Sequence, residues 1–513
     1  MSMNANRMRI QYVAVPSWPV LAWLACCDRR QNAVTVFHGP GVEVTDEWFC
    51  EATWAGPFDA GGFDETDVVA GSGGRLRGNE LIFVSSASTV DRLQWLDTPD
   101  GPWISNSLAC LMSASGATID EASGKYFWLF RTIVGGLRKY RRLFPTSLGP
   151  VTLVYFENVV WNGSTMTVRP KPGLGRDFSS FERYAGFMDA SMSAIAANAA
   201  APARRRRFEL LSTASSGYDS SMVTVLAHRA GASRVLCFDQ ARRGIDDSGE
   251  PLARTLGMTP VIVPRSAWMS GAALPEVPFI ASDSHGGDVF FRGAESVLTG
   301  KILLTGYHGD KVWAKHCHAV DANIVRGDQS GLSLTEYRLG IGMIHCPVSF
   351  WGVRQIADLH KISNGADMAP WDVPGDYSRP ICRRIIEQAG VPRELFGQEK
   401  KATWVLLVRN KQFLSPESMQ NYFDWLGARR WAWLRHGRVP PLLDRRIDHL
   451  ETTMRRIAGQ LASAETPSWY AGALRMTGLD RVGHRIASGP SHLRRYLFPW
   501  ALENHRQSYV SPF

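Results

Sequence analysis

The stretch from Phe208 to Gly231 constrains the fold of this chain more than any other. Phe208 to Thr213 (FELLST) reads as a short buried strand, and Met222 to Ala230 (MVTVLAHRA) carries apolar residues at helical spacing before Gly231 closes the helix. Between them lies Ser215-Ser216-Gly217-Tyr218-Asp219-Ser220-Ser221, a loop of mostly small residues that joins strand to helix. Small residues let backbone N–H groups approach an anion closely, and the helix N-terminus adds a dipole favourable to phosphate. No Gly-Lys-Ser/Thr follows, which excludes the Walker-type phosphate loop.

The alternation continues downstream. Arg234 to Phe238 reads as a strand, Gly249 to Leu256 as a helix, and Pro260 to Pro264 and Lys301 to Thr305 (KILLT) as further strands. Strands separated by helices of this length predict a parallel sheet with crossovers, and such sheets bind ligands beyond the carboxyl ends of their strands. The last of these strands ends in Gly306-Tyr307-His308-Gly309-Asp310, a second Asp-bearing loop for the same edge. From about residue 336 the chain reads as mainly helical, with segments such as Arg379 to Ala389 and Arg445 to Ala464.

Upstream the pattern differs. Residues 1–180 read as β-rich, with short apolar runs such as Leu81 to Val84 and Val151 to Tyr155 between turns that carry Gly, Asp and Pro. Helical periodicity begins with Phe181 to Ala199, and Ala200 to Arg207, with Pro202, is the linker candidate. At 513 residues the chain exceeds the ~250–300 at which single cores stop growing, so two domains, 1–180 and 181–513, are expected. The fold class is therefore α/β.

Composition excludes several classes. Apolar residues make up 45% and charged residues 20%, as in an ordinary globular protein, and the 18 Trp read as core or groove walls. The eight cysteines form no CxxC pair, so reduced thiols are expected. His316-Cys317-His318 lacks a second ligand cluster, and adjacent side chains point apart, so no metal centre is expected there. Arg7 and Arg9 before the apolar run Tyr12 to Cys27 mimic a signal peptide. Pro16, Pro19, the lack of a small-x-small cleavage site and the strand-like Ala33 to His38 argue against one. No apolar run approaches the ~20 residues that span a bilayer, so a cytoplasmic protein without membrane insertion is expected. The net charge of +9 is concentrated at Arg204 to Arg207, Arg138 to Arg142 and Arg429-Arg430. These clusters read as solvated surface charge, the first as a linker mark, with no nucleic-acid partner.

With Asp219 inside it, the loop 215–221 resembles the Ser-Gly-Gly-x-Asp-Ser pyrophosphate loop of ATP pyrophosphatases, which cleave ATP between its α and β phosphates. Leu304 to Asp310 (LTGYHGD) resembles the second signature of the asparagine synthetase superfamily. Gln398-Glu399-Lys400-Lys401 stands where that family places a lysine. The resemblance implies ATP and Mg²⁺ as cofactors, with Asp219 and Asp310 holding the metal. It also implies that Ser215, Ser216, Gly217, Tyr218, Asp219, Ser220, Phe238, Thr305 and Gly306 form the nucleotide site. Lys400 aligns best with the lysine that reaches the α-phosphate and the reacting carboxyl, with Lys401 beside it as the alternative. Ile104-Ser105-Asn106-Ser107-Leu108 resembles part of the family's glutaminase domain, implying an inactive Ntn-type domain ahead of the synthetase.

Three departures stand out. Glutamine-dependent members carry a cysteine directly after the initiator Met, whereas this chain begins Met1-Ser2-Met3, and Cys26 and Cys27 offer no N-terminal amine as base. Ser216 stands where the loop usually has its first Gly, which requires a negative φ there. Lys311 follows Asp310 where asparagine synthetases have an acid.

A synthetase without that cysteine brings its amine in the substrate, as do β-lactam and carbapenam synthetases and the macrolactam synthetases of lasso peptides. LLTGYHGDKVW, EYRLGIGMIHCPVSFWG and SRPICRRIIEQAGVPRELFG are most similar to the lasso branch. That resemblance implies a ligase that adenylates an Asp or Glu side chain of a leaderless precursor peptide. The peptide's own α-amine, of pKa ~7.7–8.0, captures the acyl group, releasing AMP and pyrophosphate. A leader peptidase and a leader-recognition protein are the implied partners. Tyr307 matches the tyrosine that β-lactam synthetases pair with a Glu, and Glu336 is the candidate base. The alternatives are a β-lactam-type synthetase acting on a small β-amino acid, a tRNA-modifying pyrophosphatase, and a degenerate scaffold that binds without turnover. The tRNA enzymes usually carry the loop near the N-terminus and paired reactive cysteines; retention of both Asp residues and the Lys speaks against the scaffold.

Overall fold

The computed structural model describes residues 8–513 apart from 242–243, 272, 317–319, 400, 402–403, 406, 408–412, 439–441 and 462–488. The chain is α/β, with a β-rich N-terminal region, a separate parallel sheet and a helical C-terminal region.

The N-terminal region is a pair of sheets. The seven-stranded sheet runs in the order Arg9–Ala14, Ala33–His38, Trp23–Asp28, Pro102–Ser105, Arg92–Asp97, Gly149–Tyr155, Leu143–Thr146. The six-stranded sheet runs Met166–Arg169, Asn158–Trp161, Glu80–Val84, Val69–Arg77, Trp48–Trp54, Glu43–Val44. Trp23, Phe49, Phe83 and Trp161, each fully buried, fill the space between them. Alternating side chains bury one face of each strand there, and helices cover the outer faces. Helix Leu108–Ser115 lies on the first sheet, with Phe498 and Leu502 of helix Leu497–Arg506 packed beside it. Helix Phe181–Ala199, capped by the Ser180 side chain, covers the second with Tyr184, Met188 and Met192.

The segment after that helix departs from expectation. Arg204 is only 4% exposed, donates to the Asn198 and Ala52 carbonyls at 2.7 and 2.8 Å, and lies 4.3 Å from the Phe58 ring centroid. The backbone N–H groups of Arg205 and Arg206 donate to the Glu43 carboxylate at 3.2 and 3.0 Å. What read as solvated linker charge at Arg204 is a buried tether between the two regions, since a guanidinium tolerates burial when carbonyls and ring faces take its donors.

The parallel sheet has the order Thr259–Val263, Arg234–Phe238, Glu209–Ala214, Lys301–Thr305, Ile344–Pro347. All four pairings are parallel. Its first strand in sequence is central, and the fourth returns to that strand's other side, so the order reverses beside the loop that follows Ala214. A crevice opens at such a point because successive crossovers leave in opposite directions. Ile344–Pro347 is a strand where the sequence read as helical; four residues ending in Pro carry too little periodicity to betray it. Helices Ile356–Ser363, Pro380–Gln388, Pro416–Arg435 and Arg445–Leu461 follow. Among the described residues no helix is long and apolar enough to cross a membrane.

Candidate nucleotide site

The two Asp-bearing loops meet at the reversal point and form one cavity of about 430 Å³. Ser215, Gly217, Tyr218, Asp219 and Ser220 line one side and Gly306, Tyr307, His308 and Asp310 the other, with Phe238, Phe290 and Phe291 as an aromatic wall. The volume falls in the ~300–1,000 Å³ range of small-molecule sites.

Gly217 caps helix Tyr218–Arg229, so the first turn of that helix faces the cavity. The loop is tightly cross-bonded. The Ser215 and Ser220 hydroxyls lie 2.7 Å apart, the Gly217 N–H donates to Ser215 Oγ at 3.2 Å, and the Ser221 hydroxyl donates to the Gly217 carbonyl at 2.6 Å. Ser216 keeps a φ outside the left-handed region, as its Cβ requires, and turns its hydroxyl to Asp247 Oδ1 at 2.6 Å. Its side chain is not part of the cavity wall. Gly306 permits the loops to touch: a Cβ there would sit 2.6 Å from the backbone carbon of Asp219. Gly397, at φ +67°, donates its N–H to the Ser216 carbonyl at 2.7 Å and leaves room for the Tyr218 ring.

Asp219 and Asp310 both face the cavity. Asp219 forms an ion pair with Arg379. Among the described residues no group of three or more His, Cys, Asp or Glu could hold a metal by itself. Two carboxylates beside a helix N-terminus nonetheless fit Mg²⁺ arriving with a nucleotide, because Mg²⁺ takes one or two carboxylates and fills its shell with phosphate and water.

Several sequence expectations take a different form. Thr305 is buried beneath the cavity, its hydroxyl 2.9 Å from His345 Nε2, and does not line it. Lys400 lies outside the described residues. Lys401 lines the cavity, donating to the Asp246 carbonyl at 2.7 Å and to Ser216 Oγ at 3.2 Å. Glu336 is not brought to Tyr307. It is fully enclosed elsewhere, accepting from the Ser107 hydroxyl at 2.8 Å and the Tyr509 hydroxyl at 3.0 Å, with His505 Nε2 at 3.2 Å. Burial raises its proton affinity, but those donors and His505 outweigh it and hold the carboxyl below its ordinary range.

The acid beside Tyr307 is Asp288, whose carboxylate faces the phenol. Asp288 also accepts from the Ser333 hydroxyl at 2.6 Å and from the Gly331 N–H at 2.9 Å, and burial pushes its pKa up to about 6. Sequence spacing gave no sign of it, because an isolated Asp between two Gly-containing segments belongs to no motif. Asp247, Asp328, Tyr377, Arg379 and Trp404 are further wall residues the sequence left unmarked.

His308 is also unusual. It adopts φ +76°, a strained conformation for a side chain with Cβ, and is 5% exposed. Neither ring nitrogen has a hydrogen-bond partner among the described residues, and the ring stacks at 4.8 Å on Phe350. Burial, with Arg326 and Lys311 nearby, pushes its pKa down to about 3, so the imidazole facing the cavity is uncharged.

No family model matches the chain, and no curated protein matches it.

Proposed function

We propose that this chain is an AMP-forming ligase that closes an amide within one substrate, a lasso-type macrolactam synthetase acting on a leaderless precursor peptide. The observation that carries the reading is the union of the 215–220 and 306–310 loops in one cavity, with a carboxylate from each in its wall. Bound Mg²⁺ would be held by Asp219 and Asp310 and would offset charge on the phosphates of substrate ATP.

The chain's own residues divide the work. The start of helix Tyr218–Arg229, with the Ser215 and Ser220 hydroxyls beside it, receives the phosphates. Lys401 supplies a cation where charge develops as the peptide carboxylate attacks the α-phosphorus and pyrophosphate leaves. In the second step the peptide α-amine attacks the activated carbonyl. Its proton passes to the Tyr307 oxygen while the Tyr307 proton passes to Asp288, whose raised proton affinity suits it as acceptor. Burial drives the thiols of Cys26 and Cys27 far above their ordinary value, so neither supplies a thiolate for glutamine hydrolysis.

The test is to incubate the purified protein with MgATP and its leaderless peptide, following AMP, pyrophosphate and peptide mass together. Loss of one water from the peptide with matching AMP, abolished in Asp310→Ala, is the expected result. AMP formation driven by a small β-amino acid without peptide would replace the lasso reading with the β-lactam one. Absence of AMP with either substrate class overturns the ligase reading.

A further inference from the structure

Asp219, a metal ligand in the proposed reading, is held in an ion pair by Arg379. Arg379 immediately precedes helix Pro380–Gln388, which packs on helix Tyr218–Arg229. It is 5% exposed, lines the cavity and lies 5.2 Å from the Tyr377 ring centroid. Tyr377 in turn packs at 5.0 Å on the Tyr218 ring. Two amides of the loop ahead of the helix are taken. The Gly217 N–H donates to Ser215 Oγ, and the Ser216 N–H donates to Asp247 Oδ1 at 3.2 Å. Two successive amides and the acid at the head of the helix are thus held by the protein's own groups.

A guanidinium seated on a carboxylate repels an approaching free divalent cation and attracts a polyphosphate, whose oxygens match its planar fork. We infer that Arg379 is a phosphate-binding residue that shields Asp219 until nucleotide arrives. The polyphosphate draws the guanidinium from Asp219, and the freed carboxylate meets the Mg²⁺ that accompanies the nucleotide. This rests on the nucleotide reading and adds an order to it: the metal enters with ATP, not before.

The experiment measures Mn²⁺ alone by electron paramagnetic resonance, and ATP and inorganic pyrophosphate with Mg²⁺ by calorimetry. The full chain is compared with Arg379→Gln and Arg379→Lys. Removing the guanidinium has opposite effects on the two kinds of ligand. Arg379→Gln binds Mn²⁺ alone about tenfold tighter and the two phosphate ligands about tenfold or more weaker, the scale of one charge-assisted hydrogen bond. Arg379→Lys falls between. Adding Asp219→Asn to Arg379→Gln cancels the gain in Mn²⁺ affinity, which identifies the released ligand. If metal and phosphate affinities fall together, or phosphate affinity is unchanged, Arg379 is only a structural partner of Asp219 and the inference is overturned. If the folded wild-type protein binds neither ATP nor pyrophosphate, the nucleotide reading fails and this inference with it.

Discussion

At the scale of single residues, the pairing of Tyr307 with Asp288 makes a prediction that Glu336 would not. Asp288 is enclosed, and burial raises its pKa to about 6 despite the donors around it. In the proposed reaction the base must be unprotonated to accept the amine proton, so amide formation is expected to fall further as the pH drops through about 6. In Asp288→Asn the further drop near pH 6 disappears, leaving only the limb of the peptide α-amine at ~7.7–8.0, and the amide-forming step slows by ~10²–10⁴-fold, the usual worth of a positioned base. Exchange of labelled pyrophosphate into ATP, which reports only the first step, stays near the wild-type rate. A drop near pH 6 that persists unchanged in the Asn variant would remove Asp288 from the mechanism. Much of the 215–221 loop was legible because strand, small residues and helix are contiguous in sequence. Arg379, Asp247 and Asp288 were not: the first two line the cavity from distant segments, Asp288 sits buried behind Tyr307, and no local pattern distinguishes any of them from a surface charge. Lys400 and Lys401 show a third case: spacing narrowed the choice to neighbours, and of the two only Lys401 lies among the described residues.

At the scale of elements, Glu336 joins three pieces of chain. It stands at the start of helix Thr335–Ile341 and accepts from Ser107, the cap of helix Leu108–Ser115, and from Tyr509, with His505 alongside from the C-terminal end. Replacing it by Gln keeps the shape but removes the charge that these donors serve. Glu336→Gln should lower stability by ~1.5–3 kcal/mol, as for hydrogen bonds to a charged group, while activity per folded molecule is unchanged. Because its folded pKa is depressed, its contribution is complete above the unfolded value of 4.5 and is lost as the pH falls through the lower folded value. Denaturant titrations of the two proteins should therefore diverge at neutral pH and converge in acid. A large loss of turnover without loss of stability would instead return Glu336 to the chemistry. The strands Glu209–Ala214 and Lys301–Thr305 were legible as apolar runs bounded by turn residues, as expected of strands covered on both faces. The sheet order was not, since crossovers say that strands are parallel but not which neighbours they choose.

At the scale of the whole molecule, the β-rich region braces a cavity that none of its described residues lines. The wall segment that carries Gly327, Asp328 and Ser330 is anchored to it: the Leu137 N–H donates to the Asn323 carbonyl at 2.8 Å and the Arg326 N–H to the Val134 carbonyl at 3.0 Å. A buried link is Arg338, 1% exposed on helix Thr335–Ile341, which pairs with Glu51 at 2.7 Å and Asp91 at 3.1 Å from the β-rich strands and loops. Three charges buried this deeply are tolerated only together, so the two regions should unfold as one. Calorimetry of the full chain is expected to show a single transition. Arg338→Met strands two carboxylates in the interior and should cost ~3–5 kcal/mol, moving the whole transition rather than splitting it. Unpaired buried carboxylates gain proton affinity, so the deficit should shrink as the pH is lowered from 8 toward 5. Neutralising the partners in the same variant, with Glu51→Gln and Asp91→Asn, should recover part of the loss at pH 8. Two transitions in the wild-type protein, only one of which responds to Arg338→Met, would show instead that the regions fold independently and that the brace is passive.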